Sequence, residues 1–405
     1  MNSREKRIVG FACAAHALCH MYVLVLTPAL VDVARQFGVS IGEVSAYLTG
    51  SFFCYGLGSI PAGALGDRWG PRRMFFLYFV GTFLSSLIII ASRGIAGLGA
   101  GLILLGLFAG IYHPAGLAMI SLDIRERGHA LGIHGIAGSI GVAAAPILGG
   151  VMNDLYGWRY AYVIIAFLGL IIGAVLLLSR TGIGGKWVQQ EETAVPNEGR
   201  SWMLLGGALL MMIGAGVVDR GLSTILPTFV DDVGRLNLAA IGLKRAGGVI
   251  TGLGLSFGII GQYVGGRVAD RVNNLRLYAG AIALAAVMIV GLTFSRGLWL
   301  LPNLALLYLC FLTGQPAENN IVAVLTPSEL RGRSYGVKSG LMFAGGSFGA
   351  LIVGTMRSRN ANPYATMFPM LAGIMAGGIL VGFGVIRLVG GRTGGKYAFS
   401  GSQKD

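Results

Sequence analysis

A chain of 405 residues that is 54% hydrophobic and 12% charged, with a mean hydropathy of +0.72, carries more apolar surface than a soluble fold of its length can hide. A lipid phase has to cover the difference. The net charge of +14 does not point to nucleic acid, because Lys and Arg stand at the ends of apolar segments and not in runs interleaved with aromatics.

In chain order, a basic leader with Arg4, Lys6 and Arg7 assigns the N-terminus to the cytoplasm and precedes a first span at 8–32. No short cleavable leader is legible before it, so this span is expected to stay in the membrane. Further spans are predicted at 44–65, 74–91, 95–120, 130–152 and 158–178, each near the ~20 residues a bilayer requires. A polar stretch then carries Lys186, Glu191, Glu192, Pro196 and Glu198, too short for a domain and too polar for a span. The plan repeats at 202–230, 247–268, 277–294, 298–325, 335–356 and 367–388. The expected organisation is an all-α membrane protein of twelve transmembrane helices: a bundle at 1–180, a cytoplasmic linker at 181–201, a second bundle at 202–390 and a cytoplasmic tail at 391–405. Lys and Arg crowd the segments on one face of this layout, which places both termini in the cytoplasm and the protein in the cell's inner membrane.

Between the second and third spans lies Gly63-Ala-Leu-Gly-Asp67-Arg68-Trp-Gly70-Pro-Arg72-Arg73, and a worn copy follows as Gly266-Arg-Val-Ala-Asp270-Arg271. The two Asp residues are about 200 positions apart, as two similar halves would place them. Other features pair in the same way. Leu26-Thr-Pro28-Ala-Leu-Val-Asp32 closes the first span and Leu226-Pro227-Thr-Phe-Val-Asp231 the seventh. Tyr112-His113-Pro114-Ala115 in the fourth matches Gly314-Gln315-Pro316-Ala317 in the tenth. Equivalent proline breaks mark either a substrate region or kinks made for packing; Tyr112, His113 and Gln315 are candidate substrate contacts on the first reading.

An ionisable group at membrane depth costs roughly 2.5–3.5 kcal/mol, so the few present are candidates for function. His16 and His20 share a face of the first span, and the repeat sets His20 opposite Asp219, beside which stands Arg220. Asp219 and Arg220 form a structural pair or, since adjacent helical residues diverge by about 100°, send one member to a central cavity. Arg220, about 27 Å along its helix, then suits a carboxylate or phosphate. His113 and Glu318 lie at similar depth and can titrate; the plain alternative for a membrane histidine is an interhelical hydrogen bond. Lys338 either snorkels to the headgroups or faces the cavity. His20, His113, Tyr112, Gln315, Lys338 and Arg220 are thus the expected substrate contacts, and Asp219, Glu318 and His16 the expected proton carriers. Cys13, His16 and His20 share one face, but no carboxylate is near on that helix and no metal site is expected. Cys13, Cys19, Cys54 and Cys310 read as small hydrophobes without disulfide partners.

The loop signature, its copy and the half-chain repeat resemble the major facilitator superfamily, from residue 8 to residue 388. The resemblance implies two pseudo-symmetric six-helix bundles around a cavity open alternately to either side. It makes Gly63, Asp67, Arg68, Gly70, Arg72, Arg73, Asp270 and Arg271 conformational residues, with Asp67 locking the halves. Gly141-Val-Ala-Ala-Ala145-Pro146-Ile-Leu-Gly149-Gly150 looks like the superfamily's antiporter motif with Ala145 for one Gly, which favours export against protons. Gly106 stands where drug antiporters carry Arg. His16 with Tyr112-His113-Pro114 is similar to the fosmidomycin-resistance branch, though His20 and Ala115 replace its two acids.

The expected function is a secondary active transporter of a small anionic or amphipathic organic solute, most simply a proton-coupled exporter, alternatively a proton-coupled importer of an organic anion. The expected partners are that solute, protons and lipid, with the chain as a monomer and without cofactor. An enzyme would need an aligned nucleophile and base or a closed metal set, and a receptor a signalling domain; the sequence offers none of these.

Overall fold

The computed structural model describes residues 1–124, 127–178, 198–234, 243, 245–326, 331–360 and 362–394. Residues 181–197 of the expected linker and most of the tail at 391–405 lie outside the described residues, as does the Asp67 side chain; residues 198–201, expected in the linker, open a helix that continues into the seventh span. Thirteen α-helices are present among the described residues.

The first span is α1 (Ser3–Leu24) and α2 (Leu30–Phe37) in series, joined through a 3-10 turn at Thr27–Ala29. A capping box opens α1: the Asn2 side chain accepts from the Glu5 N–H at 2.9 Å while Glu5 accepts from the Asn2 N–H at 2.8 Å. The break follows from Pro28, which has no N–H for the Leu24 carbonyl; the Thr27 hydroxyl donates to that carbonyl instead, at 2.9 Å. Ser40 and Glu43 cap α3 (Ile41–Ala91), which holds two spans. They part at Gly70, where φ is +76° and ψ 162°, a conformation open to glycine and hostile to a side chain. The loop signature therefore needs its last Gly for the turn itself.

The fourth span is split into α4 (Ile95–Ala109) and α5 (Tyr112–Asp123). Pro114 falls in the first turn of α5, where a missing N–H costs little, and the Gly110 carbonyl it leaves accepts from the Ser59 hydroxyl at 2.9 Å. There follow α6 (Arg127–Leu155), α7 (Arg159–Leu178), α8 (Glu198–Gly234), α9 (Gly247–Ala269), α10 (Asn274–Leu292), α11 (Leu300–Leu325), α12 (Arg331–Arg359) and α13 (Tyr364–Gly394). Among the described residues, eleven stretches are long and apolar enough to cross a membrane, and the limb of α3 before Gly70 adds a further helix, making twelve.

One expectation is corrected here. Pro227 and Pro316 lie inside continuous helices α8 and α11, so the equivalent breaks exist only in the first half. The carbonyls freed in that half accept from the Thr27 and Ser59 hydroxyls, so the packing reading has a direct counterpart at these breaks.

The buried apolar side chains form two cores. One gathers α1 to α7 around Tyr22, Phe52, Tyr55, Phe75, Tyr78 and Tyr112; the other gathers α8 to α13 around Phe229, Tyr278, Tyr308 and Phe368. Each borrows one small residue across the boundary, Ala350 for the first and Ala143 for the second. Along that boundary backbone meets backbone: a Cβ on Gly56 of α3 would strike the backbone of Ala344 in α12, and one on Gly248 of α9 would strike the Pro146 carbonyl and Gly150 of α6.

Candidate functional site

The site forms where the broken first and fourth spans meet α6, α8, α11 and α12. His16 and His20, one turn apart on α1, carry adjoining rings, with Nε2 of one 3.2 Å from Nε2 of the other. His16 stacks on His134 of α6 at 4.0 Å between centroids and donates from Nδ1 to the His134 carbonyl at 2.8 Å. That bond fixes the proton on Nδ1 and leaves the His16 Nε2 lone pair inward. The Tyr112 hydroxyl donates to the Ala12 carbonyl and accepts from His134 Nε2 at 2.9 Å. His113, at the start of α5, lies edge-on to His16 at 5.2 Å and 2.7 Å from the Tyr55 hydroxyl. Cys19 is no mere hydrophobe: its thiol sits 3.2 Å from the same Tyr55 hydroxyl and donates to the Ala109 carbonyl exposed by the α4–α5 break.

Across from the histidines, Arg220 is 5% exposed. Its Nη2 bonds Asp219 at 2.7 Å, so two consecutive residues that diverge on the helix still meet, because the long Arg side chain bends back. Its Nη1 is buried and has no hydrogen-bond partner. The guanidinium lies over Phe52 of α3 at 5.3 Å and over Phe343 of α12 at 5.6 Å, a cation–π clamp with one aromatic from each half. Phe343 also packs on His113 at 5.3 Å and on Tyr55 at 4.6 Å. One aromatic ring thus touches both the histidine group and the guanidinium.

Lys338 does not snorkel. It is buried, forms an ion pair with buried Glu318, and donates to Asn319 at 2.6 Å. Gln315, one turn before Asn319, accepts from Gln262 of α9. On the far face, Arg245 grips both oxygens of Asp32, with Nη2 to Oδ1 at 2.8 Å; Asn153 donates to the same carboxylate at 2.6 Å, and the Arg245 N–H donates to Asp154 at 2.9 Å. This hydrogen-bonded grip raises the Arg245 pKa above its ordinary value.

The structure therefore brings together His16, His20, Tyr112 and His113 in one group, Asp219 with Arg220, and Glu318 with Lys338 in pairs. Gln315 stands with Gln262. Cys13 is not part of the histidine group; His113 takes the place that spacing on one helix gave to it. Gly63 faces Pro114, the neighbour of His113, while Arg68, Arg72 and Arg73 flank the break at Gly70, and Asp270 and Arg271 follow the end of α9, with Asp270 at its C-cap. Gly141 packs on the backbone of Ala17, Gly149 on the Val25 carbonyl, and Pro146 and Gly150 on Gly248. The antiporter-like motif is in this sense a seam between α6 and its neighbours. Gly106 abuts the Ser51 carbonyl so closely that no side chain fits there, which accounts for the missing Arg.

His134 is a residue that the sequence reading passed over, although it is ionisable and lies inside a predicted span. The Asp32–Arg245 contact had no such signal, since it joins the first turn of α2 to the segment before α9, 213 positions apart.

Two six-helix bundles with buried charge pairs at their junction define a multi-pass membrane protein with the architecture of a transporter. The family model of the Major Facilitator Superfamily matches residues 12–354, and the chain belongs to that superfamily of membrane transporters, not to an enzyme class. It superposes on a bacterial homologue of the human lysosomal transporter Spinster, in an inward-facing and unoccupied conformation, with a TM-score of 0.71 over 96% of this chain and 95% of that one; at 14% identity the likeness is one of fold alone. It is 32% identical over 153 residues to the probable L-galactonate transporter of Escherichia coli K12, covering 36% of this chain and 33% of that protein. It is 28% identical over 163 residues to the methylenomycin A resistance protein of Bacillus subtilis 168, covering 39% and 35%. The chain thus spans about a third of the length of these curated relatives where it matches them.

Proposed function

We propose that the chain is a secondary active transporter that exports a small organic acid across the inner membrane in exchange for protons. The single observation that carries this reading is the buried Nη1 of Arg220, left without a partner while Nη2 is held by Asp219 and the cation is clamped between Phe52 and Phe343. A buried donor with no acceptor costs free energy, and a carboxylate arriving between the halves relieves it with a charge-assisted bond. His20, Tyr112, His113, Gln315 and Lys338 are the other solute contacts in this reading, and Asp219, Glu318 and His16 the groups that hold or release the proton.

The chain works as a monomer whose bundles at 1–180 and 202–390 rock against each other, joined by the linker at 181–201, with both termini in the cytoplasm, and Asp67 with the rest of the loop signature latches their inner face. The name of the Escherichia coli relative supports an anionic solute, galactonate being a sugar acid, and that of the Bacillus subtilis relative supports export. Proteoliposomes test the proposal directly. A pH gradient should drive accumulation of an organic acid on the side that exporting orientation predicts, and a protonophore should abolish it. Full transport without a gradient, or dependence on sodium, removes proton coupling; accumulation only in the opposite sense makes the protein an importer of organic anions with the same site.

A further inference from the structure

We infer that His16, His20 and His113 form a binding site for one divalent transition-metal ion of the zinc, cobalt or nickel kind. Their three ligand nitrogens lie within 4.8 Å of one another, two from a single turn of α1 and one from the first turn of α5. In a tetrahedral site with metal–nitrogen bonds of about 2.0–2.1 Å, ligand nitrogens stand about 3.3–3.4 Å apart. The His16–His20 pair is at 3.2 Å already, and His113 closes the set with a side-chain movement on the order of 1 Å.

What surrounds the rings is the arrangement that metal-binding imidazoles use. His16 donates from Nδ1 to the His134 carbonyl, so its Nε2 lone pair is free to coordinate. The Tyr55 hydroxyl orients the His113 ring from 2.7 Å. His20 has a buried Nδ1 without a partner, and its Nε2 meets only the lone pair of His16. A shift of the His20 proton from Nε2 to Nδ1 replaces that hydrogen bond by coordination without any net loss of a proton. The neighbouring cations do not repel the ion at full strength, because Arg220 is paired with Asp219 and Lys338 with Glu318. Three neutral nitrogens select a borderline metal over calcium or magnesium, which prefer oxygen, and leave a fourth position open. All three ligands belong to the first bundle, so the ion ties α1 to α5 and does not bridge the halves; while bound it displaces any proton from His16 Nε2, and its open fourth position is where a solute meets the group.

The test uses the full chain in detergent with any polyhistidine tag removed. Titration with zinc should give one ion per chain, and cobalt should develop the intense visible bands of a tetrahedral nitrogen site. His20→Gln and His113→Gln should each weaken zinc binding by more than ten-fold, and Cys13→Ser should leave it unchanged. The cobalt spectrum of the unaltered protein stands even if a variant does not fold. The weak spectrum of a six-coordinate aqua ion, zinc affinity unchanged in the His20→Gln/His113→Gln double variant, or an equal loss in Cys13→Ser would overturn the inference.

Discussion

Asp32, near the C-terminal end of the first span, and Arg245, just before the eighth, are joined by two parallel hydrogen bonds, and this fork ties one half of the molecule to the other on the face opposite the loop signature. Asn153 and Asp154 of α6 complete the clasp. Because the pair is about a quarter exposed, its worth is of the order of 1 kcal/mol and not that of a buried pair.

From this it follows that Asp32→Asn and Arg245→Gln each shift the balance toward states open on that face by about five-fold, without unfolding the protein. Spin-label distances between the C-terminal end of α2 and the N-terminal end of α9 measure this. An unchanged distance distribution would show that the clasp is not a latch.

Arg220→Lys keeps a charge but loses the forked, planar donor set, and is expected to lose most transport; Arg220→Ala is expected to abolish binding of organic acids, a loss of ten-fold or more, at normal expression. Binding measured by thermal shift with a panel of organic acids separates the two outcomes. If the Lys variant transports normally, or the Ala variant does not fold, the guanidinium serves Asp219 only.

The Lys338–Glu318 pair is buried, so removing one partner strands the other. Lys338→Met alone should destabilise the fold by about 3–5 kcal/mol, whereas Lys338→Met with Glu318→Leu should restore most of that loss. Glu318→Gln strands Lys338 in the same way and should destabilise the fold as well as lose proton-driven accumulation. Equal stabilities of the single and double variants, read from denaturation midpoints, would refute the first part; undiminished accumulation would refute the second.

Gly106→Arg, which restores the side chain common in drug antiporters, is expected to prevent α4 from seating on α3, because a Cβ there already collides with the Ser51 carbonyl. Gly70→Ala should cost about 1–3 kcal/mol, because φ +76° with ψ 162° is a region all but closed to side chains. Yields of folded monomer on size-exclusion chromatography check both; normal yield of the Arg variant would mean that the two helices can separate at that point.

The spans were legible because ~20-residue apolar runs have one physical explanation, and the halves because their signatures recur at a fixed distance. Ends moved by a few residues where caps outside the apolar run, such as Asn2 and Ser40, lengthen a helix. Within the site, single residues were legible and their partners were not. Spacing on one helix put Cys13 with His16 and His20, whereas the third ring comes from α5, and a contact between helices leaves no trace in the spacing along either. The prolines recur in both halves, yet the helix is interrupted only in the first, where the Thr27 and Ser59 hydroxyls donate to the carbonyls that Pro28 and Pro114 release.

The glycine seam between α3 and α12, and between α6 and α9, has a bearing on the rate of rocking. Where Gly56 abuts Ala344 and Gly150 abuts Gly248, there are no rotamers to release and no polar side chains to rehydrate when the surfaces part. Such a contact behaves as a dry bearing: it holds by close fit over short distances, stiff against sliding sideways yet cheap to roll. The barrier to turnover is then concentrated in the few charged groups that must exchange partners, and substitution along the seam should slow every conformational step alike, whatever the solute.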